Sequence, residues 1–239
     1  MERTLDQRLG HLKGELLKMG SAVEESIEEA VRALVDRDND LAESVIAGGK
    51  AIDAWEVAVE EECLKLLAIQ HPVASDLRLV AGVMKINYDL ERMNDQAVNI
   101  AQRALVLNTM PTLKPLIDIP RMAELARRMV KDSLDAFVNK DVALANEVRR
   151  IDDIVDGLRD QIFRELLTYL HTGNPATVDQ AIHLILISRH LERIGDHSSN
   201  IAENVVYLVK GRIVRHKKEE LWVEPGDLPT PASDPPPAP

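Results

Sequence analysis

The sequence predicts an all-α protein of two tandem three-helix bundles, and three observations lead to that fold class. Aromatic residues make up only 3% of the 239 residues, whereas sheet-rich domains depend on aromatic and β-branched side chains. Ten of the 12 prolines fall in two stretches, residues 111–120 and 225–239, which leaves long runs where helices can extend. Apolar residues also recur at alternating spacings of four and three.

The chain contains an internal repeat. Residues 86–104, INYDLERMNDQAVNIAQRA, match residues 187–205, ISRHLERIGDHSSNIAENV, at eight of 19 positions with an offset of 101. Upstream, residues 33–42 match residues 136–145 at five of ten positions with an offset of 103. Self-similarity at a near-constant offset is typical of a duplicated structural unit.

Two units, a linker and a tail account for the whole chain. We predict a first unit over residues 1–110, a linker over 111–120 and a second unit over 121–216. Residues 217–239 are rich in proline and have no apolar periodicity. Such a segment cannot build a core, so we predict a disordered tail there.

Each unit is predicted to form three helices. The first helices, residues 5–36 and 121–139, contain no proline. The second and third helices carry apolar residues at the a and d positions typical of antiparallel bundles. In the second helices these are Leu41, Val45, Gly48, Ile52, Trp55 and Val59, and then Leu144, Val148, Ile151, Val155, Leu158 and Ile162. In the third helices they are Ile86, Leu90, Met93, Ala97, Ile100, Ala104 and Leu107, and then Ile187, Leu191, Ile194, Ser198, Ile201, Val205 and Leu208.

Short polar or proline-containing segments separate the predicted helices. They lie at residues 36–40, 70–72, 108–120, 139–141 and 171–175. Connections of this length favour antiparallel neighbours. At the second break, Pro72 ends one helix, and Ser75 or Asp76 is expected to cap the next.

Composition excludes several classes of protein. Forty acidic and 29 basic side chains give a net charge of −11, which opposes binding to nucleic acid. The single cysteine, Cys63, excludes an internal disulfide, suits a reducing cytosol and is expected in the core. No apolar run reaches 18 residues, and the N-terminal MERTLDQRLGHLKGE is too charged for a signal peptide. We therefore expect a cytoplasmic protein that meets a membrane only through partners.

A stripe of oxygen-bearing side chains runs along the third helix of each unit. Residues four apart lie on one face of a helix, and this stripe falls opposite the apolar seam. We therefore place it on an outer face. Its members are Glu91, Asp95 and Asn99 in the first unit, and Glu192, Asp196 and Asn200 in the second.

The second helices add further acids. They are Asp53, with Glu56 or Glu60 beside it, in the first unit, and Asp153, Asp156 and Asp160 in the second. Adjacent carboxylates repel one another, and a hard cation such as magnesium, manganese, calcium or iron relieves that repulsion. The first unit has Lys50 and Val57 in place of Asp153 and Asp160. Counting charges therefore predicts the tighter metal site in the second unit.

A solvated acidic helix face is the alternative interpretation, because charged side chains usually lie outside. Both copies nevertheless keep Glu, Arg, Asp and Asn in register while most other surface positions differ. Solvation alone does not require this, so a metal or partner role is favoured. His197 follows Asp196 and is either a fifth ligand or, more simply, a surface imidazole.

The motifs resemble those of the PhoU family. The resemblance rests on the paired LER-[MI]-x-D-x-x-x-NIA segments, on HPVASDLRLV at residues 71–80 and on YLVKGRIVRH at residues 207–216. It spans residues 5–216 and implies that each unit is a three-helix bundle. In that family the motif face carries metal clusters in some members. Carried over here, the metal ligands would be Glu91, Asp95, Asn99 and Asp53, and Glu192, Asp196, Asn200, Asp153 and Asp156.

The resemblance also implies a function. The family is a cytoplasmic negative regulator of phosphate-starvation genes, thought to bridge the ATPase of a phosphate ABC importer and a membrane sensor histidine kinase. We interpret the chain as such a regulator and not as an enzyme, because no nucleophile–base pair is visible. A divalent or trivalent metal ion, magnesium, manganese or iron, is the expected cofactor.

Three alternative functions stay open. The acidic face suits a metal-dependent phosphatase-like enzyme, and the superfamily also includes accessory proteins of other phosphate transporters. A purely structural helical spacer would need neither metal nor partner. Homodimerisation is expected because long amphipathic helices often leave additional apolar surface.

Overall fold

The structure, a computed structural model, describes residues 2–171 and 173–211, with side chains from residue 5 onward. These ranges form six α-helices without a β-strand, which confirms the all-α prediction. The helices are α1 (Glu2–Val35), α2 (Asn39–Gln70), α3 (Ala74–Asn108), α4 (Asp118–Asn139), α5 (Val142–Leu170) and α6 (Pro175–Lys210). None of them, as far as described, combines the length and apolar character needed to cross a bilayer. The predicted tail, residues 217–239, lies outside the described residues.

The helices form two bundles that share one core. Helices α1, α2 and α3 pack together, as do α4, α5 and α6, and the bundles meet where α1 packs on α4 and α3 packs on α6. The apolar seams of α3 and α6 are buried almost throughout, and Cys63 is also buried, as predicted. In α2 the seam differs by one residue, because Gly49 and not Gly48 is buried.

The α1–α2 and α4–α5 turns have the same geometry. Arg37 and Lys140, which are 103 residues apart, both adopt the left-handed conformation, with φ of 58° and 55°. Asp38 and Asp141 follow them, and each carboxylate accepts a hydrogen bond from a backbone N–H three residues on, at 3.0 Å. A side-chain N-cap of this kind stabilises a helix by about 1 kcal/mol. The duplication has therefore preserved the backbone conformation and the capping hydrogen bond of this turn.

The start of α3 departs from the prediction. The helix begins at Ala74, and its N-cap residue is Val73, which makes no side-chain capping hydrogen bond. Ser75 and Asp76 consequently lie inside the first turn, where they do not cap it. Asp76 still carries negative charge at the positive end of the helix dipole, which is favourable.

The linker between the bundles is shorter than predicted, and residues of both repeats hold its N-terminal part. Helix α4 begins at Asp118, inside the predicted linker of residues 111–120. The Arg37 guanidinium donates to the carbonyl oxygens of Asn108 and Met110 at 2.6 and 2.5 Å. Gln180 of α6 donates to the carbonyl of Pro111 at 2.7 Å. Both repeats thus hold the connection between them.

A ladder of polar pairs sets the register between α3 and α6. Three histidines of α6, spaced by seven residues, each face one of three α3 side chains that are also spaced by seven. The pairs are Arg103 with His183, Gln96 with His190 and Asp89 with His197, at 3.5, 2.8 and 2.9 Å. Their order along the chain shows that the two helices are antiparallel. His197 is thus part of the inter-repeat contact and is not a free surface imidazole.

Candidate metal centre on the paired acidic faces

Three carboxylates converge between α2 and α3 in the first repeat. Asp53 of α2 and Glu91 and Asp95 of α3 each offer an oxygen, and these oxygens lie within 4.8 Å of one another. The side chains of Glu91 and Asp95 are 18% and 42% exposed. Oxygen donors this close suit a hard divalent cation, which would neutralise their mutual repulsion.

The electrostatics of the first repeat reflect this crowding. Burial, together with the neighbouring Asp95, raises the pKa of Glu91 above its usual range. Burial and the nearby Glu60 and Asp53 likewise raise the pKa of Glu56. Each shift means that the charged carboxylate is disfavoured where it stands.

One cation, Arg92, lies beside this group. Its guanidinium contacts Glu91 at 3.2 Å and Asp95 at 3.3 Å, and it lies over the Tyr88 ring at 5.0 Å. Arg92 belongs to α3, as do all three of its partners, so it does not bridge to Asp53 on α2. Its side chain is 43% exposed and sits at the solvent edge of the group.

The second repeat arranges the equivalent acids around an arginine. The offsets place Asp156, Glu192 and Asp196 where the first repeat has Asp53, Glu91 and Asp95. The Arg159 guanidinium contacts Glu192 at 2.9 Å, Asp160 at 3.1 Å and Asp156 at 3.9 Å. Among the described side chains, no second set of three acids, histidines or cysteines comes as close together as the set in the first repeat.

A half-buried acid in the second repeat escaped the sequence analysis. Burial and the adjacent Asp196 raise the pKa of Asp152 to about 7, although the nearby Ser199 hydroxyl opposes the shift. A Cβ placed on Gly195 would lie 3.0 Å from the Asp152 Oδ1 atom. In the first repeat, Gly49 of α2 stands in place of Asp152 and Asn94 of α3 stands in place of Gly195. The glycine of the pair is therefore on the second helix in one repeat and on the third helix in the other. Aligning the two repeats reveals this exchange, but its contacts depend on the packing.

Comparison with known proteins decides the family. A model of the PhoU domain matches the chain twice, at residues 16–104 and 119–205. These ranges coincide with the two bundles. The chain belongs to the PhoU family.

Relatives of similar length support the assignment. A phosphate-specific transport system accessory protein PhoU homolog from Aquifex aeolicus is 43% identical over 213 residues, covering 89% of this chain and 96% of the relative. A homolog of the same name from Caulobacter vibrioides is 36% identical over 222 residues, covering 92% and 96%.

Solved PhoU structures have the same fold. The crystal structure of PhoU from Pseudomonas aeruginosa superposes with a TM-score of 0.82 at 38% identity, covering 87% of this chain and 99% of that one. The phosphate transport system regulatory protein PhoU from Streptococcus pneumoniae gives a TM-score of 0.80 at 30% identity, with coverages of 88% and 99%. The expected pair of three-helix PhoU repeats is therefore confirmed.

The structure brings together only some of the ligands predicted for these PhoU repeats. Asn99 is half-buried and is not part of the close carboxylate group. Asn200 turns toward the other repeat, where its amide donates to Asp89 at 3.4 Å. Asp153 is exposed, and Asp156 is half-buried beside Arg159.

The acidic stripe is also less external than predicted. The Glu192 side chain is only 15% exposed, and burial raises its pKa despite the nearby Arg159. Glu91 is similarly covered. The reason is that the stripe lies at the groove between the second and third helices of each repeat. A heptad diagram of one helix cannot show the cover that a neighbouring helix provides.

Proposed function

We propose that the chain is a cytoplasmic, non-enzymatic accessory protein of phosphate transport that negatively regulates phosphate-starvation genes. The observation that carries the proposal is the match of both repeats to the PhoU domain. It is supported by similarity, over almost the full length, to relatives named as phosphate-specific transport system accessory proteins. The six-helix fold also superposes, with a TM-score of 0.80, on a protein described as a phosphate transport system regulatory protein.

In this proposal the protein acts as an adaptor. Its partners are the ATPase of a phosphate ABC transporter and a membrane sensor histidine kinase, and it acts as a homodimer. Long helices packed into one body present several extended faces, a geometry that suits simultaneous contact with more than one protein. The net charge of −11 argues against nucleic acid as a partner.

We further propose that the first repeat binds a hard metal ion, manganese, magnesium or iron. Asp53, Glu91 and Asp95 would hold it, because their oxygens already lie within 4.8 Å of one another. The raised pKa of Glu91 supports this assignment, since a divalent cation would stabilise the charged form that burial disfavours. The ion would join α2 to α3.

Deletion of the gene tests the regulatory role. In phosphate-rich medium the deletion strain should express phosphate-starvation genes that the parent strain represses, and the wild-type gene should restore repression. Normal repression in the deletion strain would contradict the proposal. Serving a different phosphate transporter would appear instead as altered uptake with repression intact.

A manganese titration tests the metal role. Asp95→Asn should weaken binding of Mn²⁺ by about tenfold or more, because it removes one anionic ligand. Glu61→Gln is the matched control, since Glu61 is an exposed acid of α2 paired with Lys65. Equal binding by the two variants would contradict the ligand assignment. Manganese-dependent turnover of a phosphate ester, lost in Asp95→Asn, would favour the phosphatase alternative.

A further inference from the structure

Arg159 occupies a distinctive position in the second repeat. It is a residue of α5, and it reaches across to Glu192 of α6 at 2.9 Å while also contacting Asp160 and Asp156 on its own helix. Its side chain is 26% exposed, compared with 43% for Arg92 in the first repeat. The guanidinium therefore lies in the groove between the two helices.

The equivalent residue of the first repeat carries the opposite charge. With the offset of 103, Arg159 corresponds to Glu56. Glu56 lies three residues after Asp53 on α2, and burial together with Glu60 and Asp53 raises its pKa. The first repeat thus adds an acid to its groove at the place where the second repeat inserts a permanent cation.

Arg92 does not play the same part in the first repeat. It contacts two acids of its own helix from the solvent edge and leaves Asp53 on α2 unbridged. Arg159 instead contacts two of the three residues that correspond to the close carboxylate group, one on each helix. A metal ion would make such an interhelical bridge in the first repeat.

We propose that Arg159 is a built-in counter-cation that replaces the metal in the second repeat, so that metal binding is confined to the first. This inference rests on the metal role proposed above, and it departs from the sequence-based ligand set Glu192, Asp196, Asn200, Asp153 and Asp156. The second repeat is then bridged permanently through Arg159, whereas the first is bridged only when metal is bound. Metal availability consequently acts on α2 and α3 alone.

Reciprocal exchange of the two matched residues tests the proposal. Glu56→Arg copies the second repeat into the first and should weaken Mn²⁺ binding by about tenfold or more, because a fixed cation opposes a second one. Arg159→Glu copies the first repeat into the second and should add a second class of Mn²⁺ site. Binding is measured on the full-length protein by calorimetric titration, with circular dichroism to verify the fold.

Two further variants keep the test decisive. Arg159→Gln removes the charge without adding an acid and should still admit Mn²⁺ to the second repeat if Arg159→Glu does not fold. Asp156→Asn should leave Mn²⁺ binding by the otherwise wild-type protein within about twofold, whereas Asp53→Asn should reduce it by about tenfold or more.

The outcomes separate this inference from the metal role on which it rests. Binding that survives Glu56→Arg, or that is lost in Asp156→Asn, would overturn the assignment of Arg159. Absence of Mn²⁺ binding by the wild-type protein would overturn the metal role. If Arg159→Glu or Arg159→Gln then bound Mn²⁺, Arg159 would still be the blocking cation, and if neither did, both proposals would fall.

Discussion

The two repeats share their backbone design but differ in what fills the groove between their second and third helices. Asp38 and Asp141 cap equivalent helices with the same hydrogen bond at the same distance. In the groove, by contrast, the first repeat holds Glu56, and the second holds Arg159. Duplication has preserved the turns and the acids of the third helices, while the matched residues Glu56 and Arg159 carry opposite charges.

A second difference concerns the half-buried Asp152. Asp152 lies against Gly195 in the second repeat, and the first repeat instead packs Asn94 near Gly49. One repeat therefore places a half-buried ionisable group where the other buries a neutral amide. This contrast predicts a pH-dependent cost at this position of the second repeat and none at the equivalent position of the first.

Replacing Asp152 should give the largest stability change. Because burial raises the pKa of Asp152 to about 7 from its ordinary value of 3.8, folding favours its protonated form. Its destabilising effect therefore grows as pH rises from about 4 to 7 and stays constant above that. Asp152→Asn should raise the free energy of unfolding by about 2–4 kcal/mol at pH 8.

Chemical denaturation at several pH values, with chelator present, measures this effect. Asp153→Asn is the matched control, since the exposed Asp153 carries the same charge one residue away. The stabilisation in Asp152→Asn should vanish below about pH 4, where both folded and unfolded states hold the proton. An equal gain in both variants would mean that general charge repulsion, and not burial, is responsible.

The contact between the repeats should respond to pH in the opposite direction. Burial and the nearby Arg103 and Arg193 lower the pKa of His190 to about 4 from 6.5. Folding therefore favours the neutral ring, and stability should fall by about 2 kcal/mol as pH drops from 6.5 to 4. The Nε2 atom of His190 is buried without a hydrogen-bond partner, so a proton there would be unpaired.

His190→Gln should remove this part of the stability–pH profile, while His11→Gln, at an exposed position on α1, should not. The informative quantity is the difference in unfolding free energy between variant and wild type at each pH. A difference that does not change between pH 6.5 and 4 would show that protonation of His190 does not contribute to the pH dependence of stability.

The smallest effects should be equal in the two repeats. Asp38→Ala and Asp141→Ala each remove one N-cap hydrogen bond and should each cost about 1 kcal/mol of unfolding free energy. Thermal or chemical denaturation of both variants makes the comparison. Costs that differ by more than about 1 kcal/mol would show that the two turns, alike in geometry, are embedded in packing of different strength.

Local patterns predicted most of the fold. The apolar seams, the breaks and the duplication are periodic features of the sequence, and the six helices follow them closely. The predicted cap of α3 was wrong: Ser75 and Asp76, two good capping residues, follow Ala74, the first residue of the observed helix. Competition among neighbouring capping residues is settled by the turn geometry, which the residue types alone do not specify.

The site was less predictable because it depends on contacts between helices. Asp53, Glu91 and Asp95 were identified as candidates, but counting charges favoured the second repeat and overlooked Arg159. Aligning Glu56 with Arg159 at the offset of 103 would have revealed the difference in charge. The seven-residue spacing of His183, His190 and His197 could also have indicated that these histidines share one face of α6. Their partners required the antiparallel register of the two helices.

Anomalous diffraction from crystals grown with Mn²⁺ tests the central claim most directly. If the first repeat uses a metal where the second uses Arg159, an anomalous peak should lie among the carboxylates of Asp53, Glu91 and Asp95, with the Arg159 guanidinium still against Glu192. A peak among Asp156, Glu192 and Asp196, with Arg159 displaced, would contradict the account.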